Sequence, residues 1–180
     1  MSKHNSMNII EKAKTFVMPF YDKKDIGHNF SHIERVLKQA RKIAAKYQAD
    51  DELIVLGAYF HGVIYTHEGK VTEFLRGERV TQDRIATIIQ IAWDSQRDHT
   101  PLLLEGKILH DAHHLEGGKT FFVVKTIMIG ASKGESLQEM AEHMTVPPEV
   151  PKSALPELQA EYDEKDRFTR DFINDFSKSL

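Results

Sequence analysis

The stretch Leu53–Ile64, LIVLGAYFHGVI, can be placed almost nowhere but in the interior of a protein. Nearly every residue is apolar, so a helix built from it is greasy on all sides and must be covered on all sides. One polar side chain, His61, stands near its C-terminal end and is followed by Gly62. Burying an imidazole costs free energy unless its ring nitrogens find partners or a metal ion. A lone histidine in such a run is ordinarily a core residue bonded to a carbonyl. This chain, however, carries ten histidines in 180 residues.

The flanking sequence supplies covering helices. Asn5 or Ser6 can cap a first helix with Ile9, Ile10, Ala13, Phe16 and Val17 on one face. Ser31 can cap a second, His32 to about Tyr47, whose stripe Ile33, Val36, Leu37, Ala40, Ile43, Ala44 follows a 3.6-residue period. Asp50 to Glu52 give the buried helix a cap and an acidic first turn. A short helix is expected over Val71–Arg76, between Gly69 and Gly77, and a longer one after Thr81. Pro101 is placed to open the next, LLLEGKILHDAHHLEGG, which Gly117 and Gly118 stop. Further helices follow over 120–132 and SLQEMAEHM, then an extended connector, TVPPEVP, and an amphipathic closing helix within about 153–178. Strand signals are absent apart from the ambiguous FFVV at 121–124. The expected fold is an all-α, single-domain helical bundle over residues 1–180.

Composition removes several function classes. There is no cysteine, which excludes disulfides, thiolate metal sites and a cysteine nucleophile. A net charge of −3 offers no basic stripe for nucleic acid. The longest apolar run falls short of the roughly 20 residues a membrane span needs, and the first ten residues lack a signal-peptide pattern. A cytoplasmic protein with no membrane partner is the expectation.

Three polar groups sit on otherwise apolar helix surfaces: His32, His61 and Asp111. Histidine and carboxylate from different helices of a bundle make a usual N/O metal site, suited to activating water. The segments that carry these groups, SHIERVL, AYFHGVI and EGKILHDAHHLEG, resemble the HD-domain superfamily of metal-dependent phosphohydrolases, in particular its small stand-alone bacterial members. The resemblance covers about residues 26–132, and the tail RFTRDFINDF is similar too. It implies His32, His61 and Asp111 as metal ligands. It also implies one divalent ion (Mn, Fe, Mg, Ni or Zn) and a nucleotide or other small phosphate ester as substrate, and it leaves a homodimer open.

Three departures alter the expected site. The aspartate of the family's His-Asp pair is Gly62 here, which removes a carboxylate and argues against a two-metal centre. The last motif reads DAHHLEG where relatives have DADRLDA, so His113 stands at an acid position. Asp94-Ser95 occupies the place of a His-Ser pair. Asp94 either completes a set with His32, His61 and Asp111 or is a solvated helix-end residue at the unfavourable end of the dipole. Asp111 is the expected catalytic carboxylate. His114, on its face at i+3, and His28, four residues before His32, join it as expected catalytic groups. The other reading is a catalytically lapsed HD fold that serves as a ligand-binding or regulatory module.

Overall fold

The computed structural model describes residues 8–144 and 150–180; Asn5, Ser6 and most of the connector at 145–151 lie outside the described residues. The order is α1 Ile9–Tyr21, α2 Phe30–Ala44, α3 Asp51–His61, α4 Ile64–Gly77, α5 Gln82–Asp94, α6 Leu104–His114, α7 Phe121–Lys133, α8 Leu137–His143, a 3-10 turn Pro156–Leu158 and α9 Gln159–Phe176. The fold is all-α, and FFVV opens α7.

Local chemistry sets the helix starts, in places other than the sequence suggests. Asn8 caps α1 through a reciprocal capping box with Glu11. Asn29, not Ser31, caps α2: its Oδ1 accepts from the Ser31 amide and hydroxyl. Asp50 accepts from the amides of Glu52 and Leu53 at the start of α3, as expected. α4 is more than twice the expected length, because it continues directly from Val63 through a kink at His67. Pro101 does not open α6, which starts three residues later.

α3 is the axis. Every residue from Leu53 to His61 is buried, and α1, α2, α5 and α6 pack around it. The main core runs through α1–α6 and takes in Leu155, Leu158 and Tyr162 from the C-terminal segment. A separate small cluster holds Val123 of α7, Met140 of α8 and Met144, with partly buried phenylalanines of α9 packed against it. His32, at the start of α2, and His61, at the end of α3, are therefore delivered to the same end of the bundle by two helices packed side by side.

Candidate metal centre

His61 is buried and its ring is held from behind. Its Nδ1 lies 2.8 Å from Ser95 Oγ and 3.1 Å from Gln96 Nε2, both just past the end of α5. The Ser95 hydroxyl donates its one proton to the Ala92 carbonyl. The Gln96 amide donates to the carbonyls of His61 and Ala92. With those protons spent, His61 Nδ1–H is the donor to Ser95, and Nε2 presents a lone pair to the interior. Burial, reinforced by cationic neighbours, lowers the imidazole pKa to about 3, so it is neutral near pH 7.

His32 is arranged in the same sense. Its Nδ1 is 2.9 Å from Glu116 Oε2, although off the line of a well-formed hydrogen bond. Glu116 is buried and holds Arg35 Nε at 2.7 Å and Lys125 Nζ at 3.5 Å. Burial alone would raise its carboxyl pKa, but the His32, Lys125 and Arg35 contacts hold it at about 2. A carboxylate behind an imidazole is the usual outer-shell support of a histidine ligand.

The third member is His113. Its ring centroid is 4.4 Å from that of His61 and 5.2 Å from that of His32. One donor nitrogen from each of His32, His61 and His113 lies within 4.8 Å of the others, the one such group among the described residues. His113 Nδ1 is buried with no hydrogen-bond partner. An orphaned nitrogen costs free energy, and burial pushes this imidazole pKa well below its ordinary value. Three neutral imidazoles, His61 hydrogen-bonded from behind, His32 beside a carboxylate and His113 with a buried nitrogen that has no hydrogen-bond partner, are a chemically suitable donor set for a divalent ion.

The structure does not bring Asp111 or Asp94 into this group. Asp111 is fully buried, and its oxygens accept from the amides of Ala154 (2.9 Å) and Leu155 (2.8 Å) and from the Tyr162 hydroxyl (2.7 Å). It anchors the C-terminal segment on the opposite side of α6 from His113, as a spacing of two residues on a helix requires. His114, expected beside Asp111 as a catalytic group, stacks on Tyr162 with centroids 3.9 Å apart. Asp94 is neither a ligand nor solvated. It is buried, takes Gln90 Nε2 at 2.7 Å, and accepts from the amides of Leu102 (3.0 Å) and Leu103 (2.9 Å) at the start of α6. A carboxylate there meets the favourable end of a helix dipole, and any side chain at Gly106 would collide with it. His28 stands near the cluster, its ring 6.2 Å from His32, with Nδ1 2.9 Å from both oxygens of Asp25.

The cluster forms part of the wall of a cavity of about 360 Å³, to which Lys24, His28, Arg97 and Lys125 contribute cationic or ionisable groups and no acid contributes. Lys24 Nζ donates to the Gly62 carbonyl at 2.6 Å. A β-carbon on Gly62 would lie 2.7 Å from that nitrogen and 2.8 Å from Tyr21 Oη. Tyr21 is fully buried and pinned by bonds to Tyr59 O and from Gly62 N. The position of the missing carboxylate is thus closed by a phenol and an ammonium.

Sequence reading missed His113 as a member of the group, and Glu116, Lys24 and Lys125 altogether. One signal was available: His113, two residues after Asp111 on α6, falls on the opposite face of that helix, and Glu116 follows three residues later in the turn that ends it.

The buried neutral histidines make a solution prediction for metal-free protein. His61 and His114 both titrate near 3 when folded and near 6.5 when unfolded. Between those values the unfolded chain binds more protons, so stability is complete above about pH 6.5 and falls as pH drops toward 3. Urea unfolding between pH 7.5 and 5 should show a loss approaching about 1.4 kcal/mol per pH unit for each such histidine. A flat profile would contradict their burial as neutral rings.

No protein-family model and no curated protein matches the sequence. Solved structures do match in shape. A Lactobacillus plantarum protein superposes with a TM-score of 0.70 at 18% identity, over 94% of this chain and 95% of its own. Bacillus subtilis YpgQ in complex with ADP gives 0.65 at 21%, over 95% and 97%. An HD-superfamily hydrolase from Bacillus thuringiensis gives 0.63 at 22%, over 94% and 95%. The chain therefore has the fold of HD-superfamily hydrolases along nearly its whole length.

Proposed function

We propose that the protein is a phosphohydrolase that uses a single divalent ion, held by His32, His61 and His113, to cleave a nucleotide or another small phosphate ester. The observation behind this reading is the convergence of three neutral imidazoles in a cavity whose other charged groups are cations. An all-nitrogen set suits zinc, nickel, cobalt or iron(II) and is a poor cage for magnesium. When bound, such an ion lowers the pKa of water and polarises a phosphoryl oxygen.

The chain's own groups supply the rest. Lys24, Arg97 and Lys125 face the cavity and offset phosphate charge; Arg97 has no ion pair among the described residues. His28, its Nδ1 fixed by Asp25 at the half-exposed mouth, has Nε2 left to take or return a proton. It is the proton carrier of this proposal. The side chains of Asp111, Asp94 and His114 are engaged elsewhere and have no part in it. The ADP complex of the structurally similar YpgQ supports a nucleotide.

The test is elemental analysis of purified protein, then a screen of nucleotides and phosphate monoesters with Zn, Ni, Co, Fe, Mn and Mg. Retained metal is expected at one equivalent, with activity lost in His32→Ala. In Lys24→Met, KM should rise by about tenfold or more, consistent with loss of a charged hydrogen bond. A protein that retains no ion and stays inert with each one added would overturn the reading.

A further inference from the structure

A second cavity, of about 430 Å³, lies on the other side of α6, between α2, the turn after α6 and α9. Its base is apolar, made by Ile43, Leu115 and Leu158, and its charged groups are Lys42, Lys46, Lys119 and Lys165 with Glu161 and Glu164. Lys119 and Glu164 neutralise one another in an ion pair of 2.8 Å. The remaining balance is three ammonium groups against one carboxylate.

Lys165 is the unusual member. It is only 8% exposed, yet it forms no salt bridge among the described residues. Its Nζ donates to one acceptor, the carbonyl of His114 at the end of α6. An ammonium has three donors, and a buried one with no carboxylate in contact is costly. Two N–H groups therefore lack a described protein acceptor beside an open cavity. Burial lowers this lysine's pKa to about 8, the direction expected of a cation with too few partners.

We infer that this cavity is a binding site for a small dianion, such as a phosphate monoester or a dicarboxylate, gripped by Lys165 from within and by Lys42 and Lys46 at the rim. Lys42, in the last turn of α2, and Lys46, in the turn just after it, both line this cavity and so present their charges to one ligand. The site is separate from the histidine cluster and linked to it along the chain: Lys165 holds the carbonyl of His114, the residue after His113. An anion that draws Lys165 Nζ toward the cavity loosens that hold, which makes this a place from which the cluster can be adjusted.

The experiment is calorimetric titration of the full chain with inorganic phosphate, and separately with succinate and acetate. Lys165→Met replaces the buried charge with an apolar side chain of similar length, so it should fold at least as well. Wild type is expected to bind phosphate or succinate more tightly than acetate. Lys165→Met should weaken that binding about 10- to 100-fold, and Lys42→Ala/Lys46→Ala should weaken it with Lys165 in place. Metal content should not change in Lys42→Ala/Lys46→Ala, which leaves the Lys165 hold on the His114 carbonyl in place. Lys24→Met, which touches the histidine cavity and not this one, should leave this binding intact. Unchanged anion affinity in Lys165→Met, or binding abolished by Lys24→Met alone, would overturn the assignment. Neither outcome depends on hydrolysis.

Discussion

His113→Ala is expected to abolish metal binding, with affinity lower by more than about 100-fold, the upper end of what even an outer-shell substitution costs. The protein should remain folded, because the substitution removes a buried nitrogen that has no hydrogen-bond partner. The contrast with Asp111 makes the test sharp, since both residues lie on α6 and only two positions apart. Asp111→Ala should retain one equivalent of metal per folded molecule, and so should Asp94→Ala. Metal lost from Asp111→Ala while His113→Ala keeps it would restore the carboxylate as the ligand and remove the histidine trio. Equilibrium dialysis followed by elemental analysis reads both arms.

The second large effect is on stability. Asp111 draws together two backbone amides and the Tyr162 hydroxyl, all from the segment that brings α9 back onto the bundle. Removing the carboxylate deletes three bonds to a charged acceptor and strands the buried Leu155 amide. The expected cost of Asp111→Ala is about 3–5 kcal/mol. For a chain of this size that corresponds to a fall in Tm of roughly 6–20 °C. Asp111→Asn, which keeps one acceptor oxygen, should lose less. Thermal unfolding followed by circular dichroism measures the pair, and a shift of 2 °C or less in the alanine variant would show that the anchor is not needed.

Much of the fold was legible because it rests on periodicity. The apolar face of α2 and the all-round burial of α3 follow from residue spacing alone, and they place His32 and His61 at neighbouring helix ends. Boundaries read less well where a tertiary contact replaces a local cap. α6 starts late because Asp94, from another helix, holds the amides of Leu102 and Leu103. The site was half legible for a related reason. A carboxylate in an apolar helix looks the same in sequence whether it binds a metal or anchors a distant backbone. Asp111 does the latter, and only the position of the C-terminal segment reveals it. His113 gave no sign in the sequence of joining His32 and His61, because they come from α2 and α3, far away in the chain. The cationic cavity could not be read, since Lys24, Arg97 and Lys125 come from three separated segments and each resembles ordinary solvated surface.

The packing around Gly62 bears on the history open to this chain. An acid at that position requires space now filled by the Tyr21 ring, and Tyr21 is itself tied to two backbone groups of the same helix end. An aspartate introduced at 62 by one codon change would therefore meet Tyr21 at once. The buried Tyr21 ring, bonded at its hydroxyl, would have to give way first, whereas Lys24 meets the new atom only with the end of a flexible side chain and can swing aside. The glycine thus works as a ratchet, and a reversion experiment should be designed as a double variant at 21 and 62.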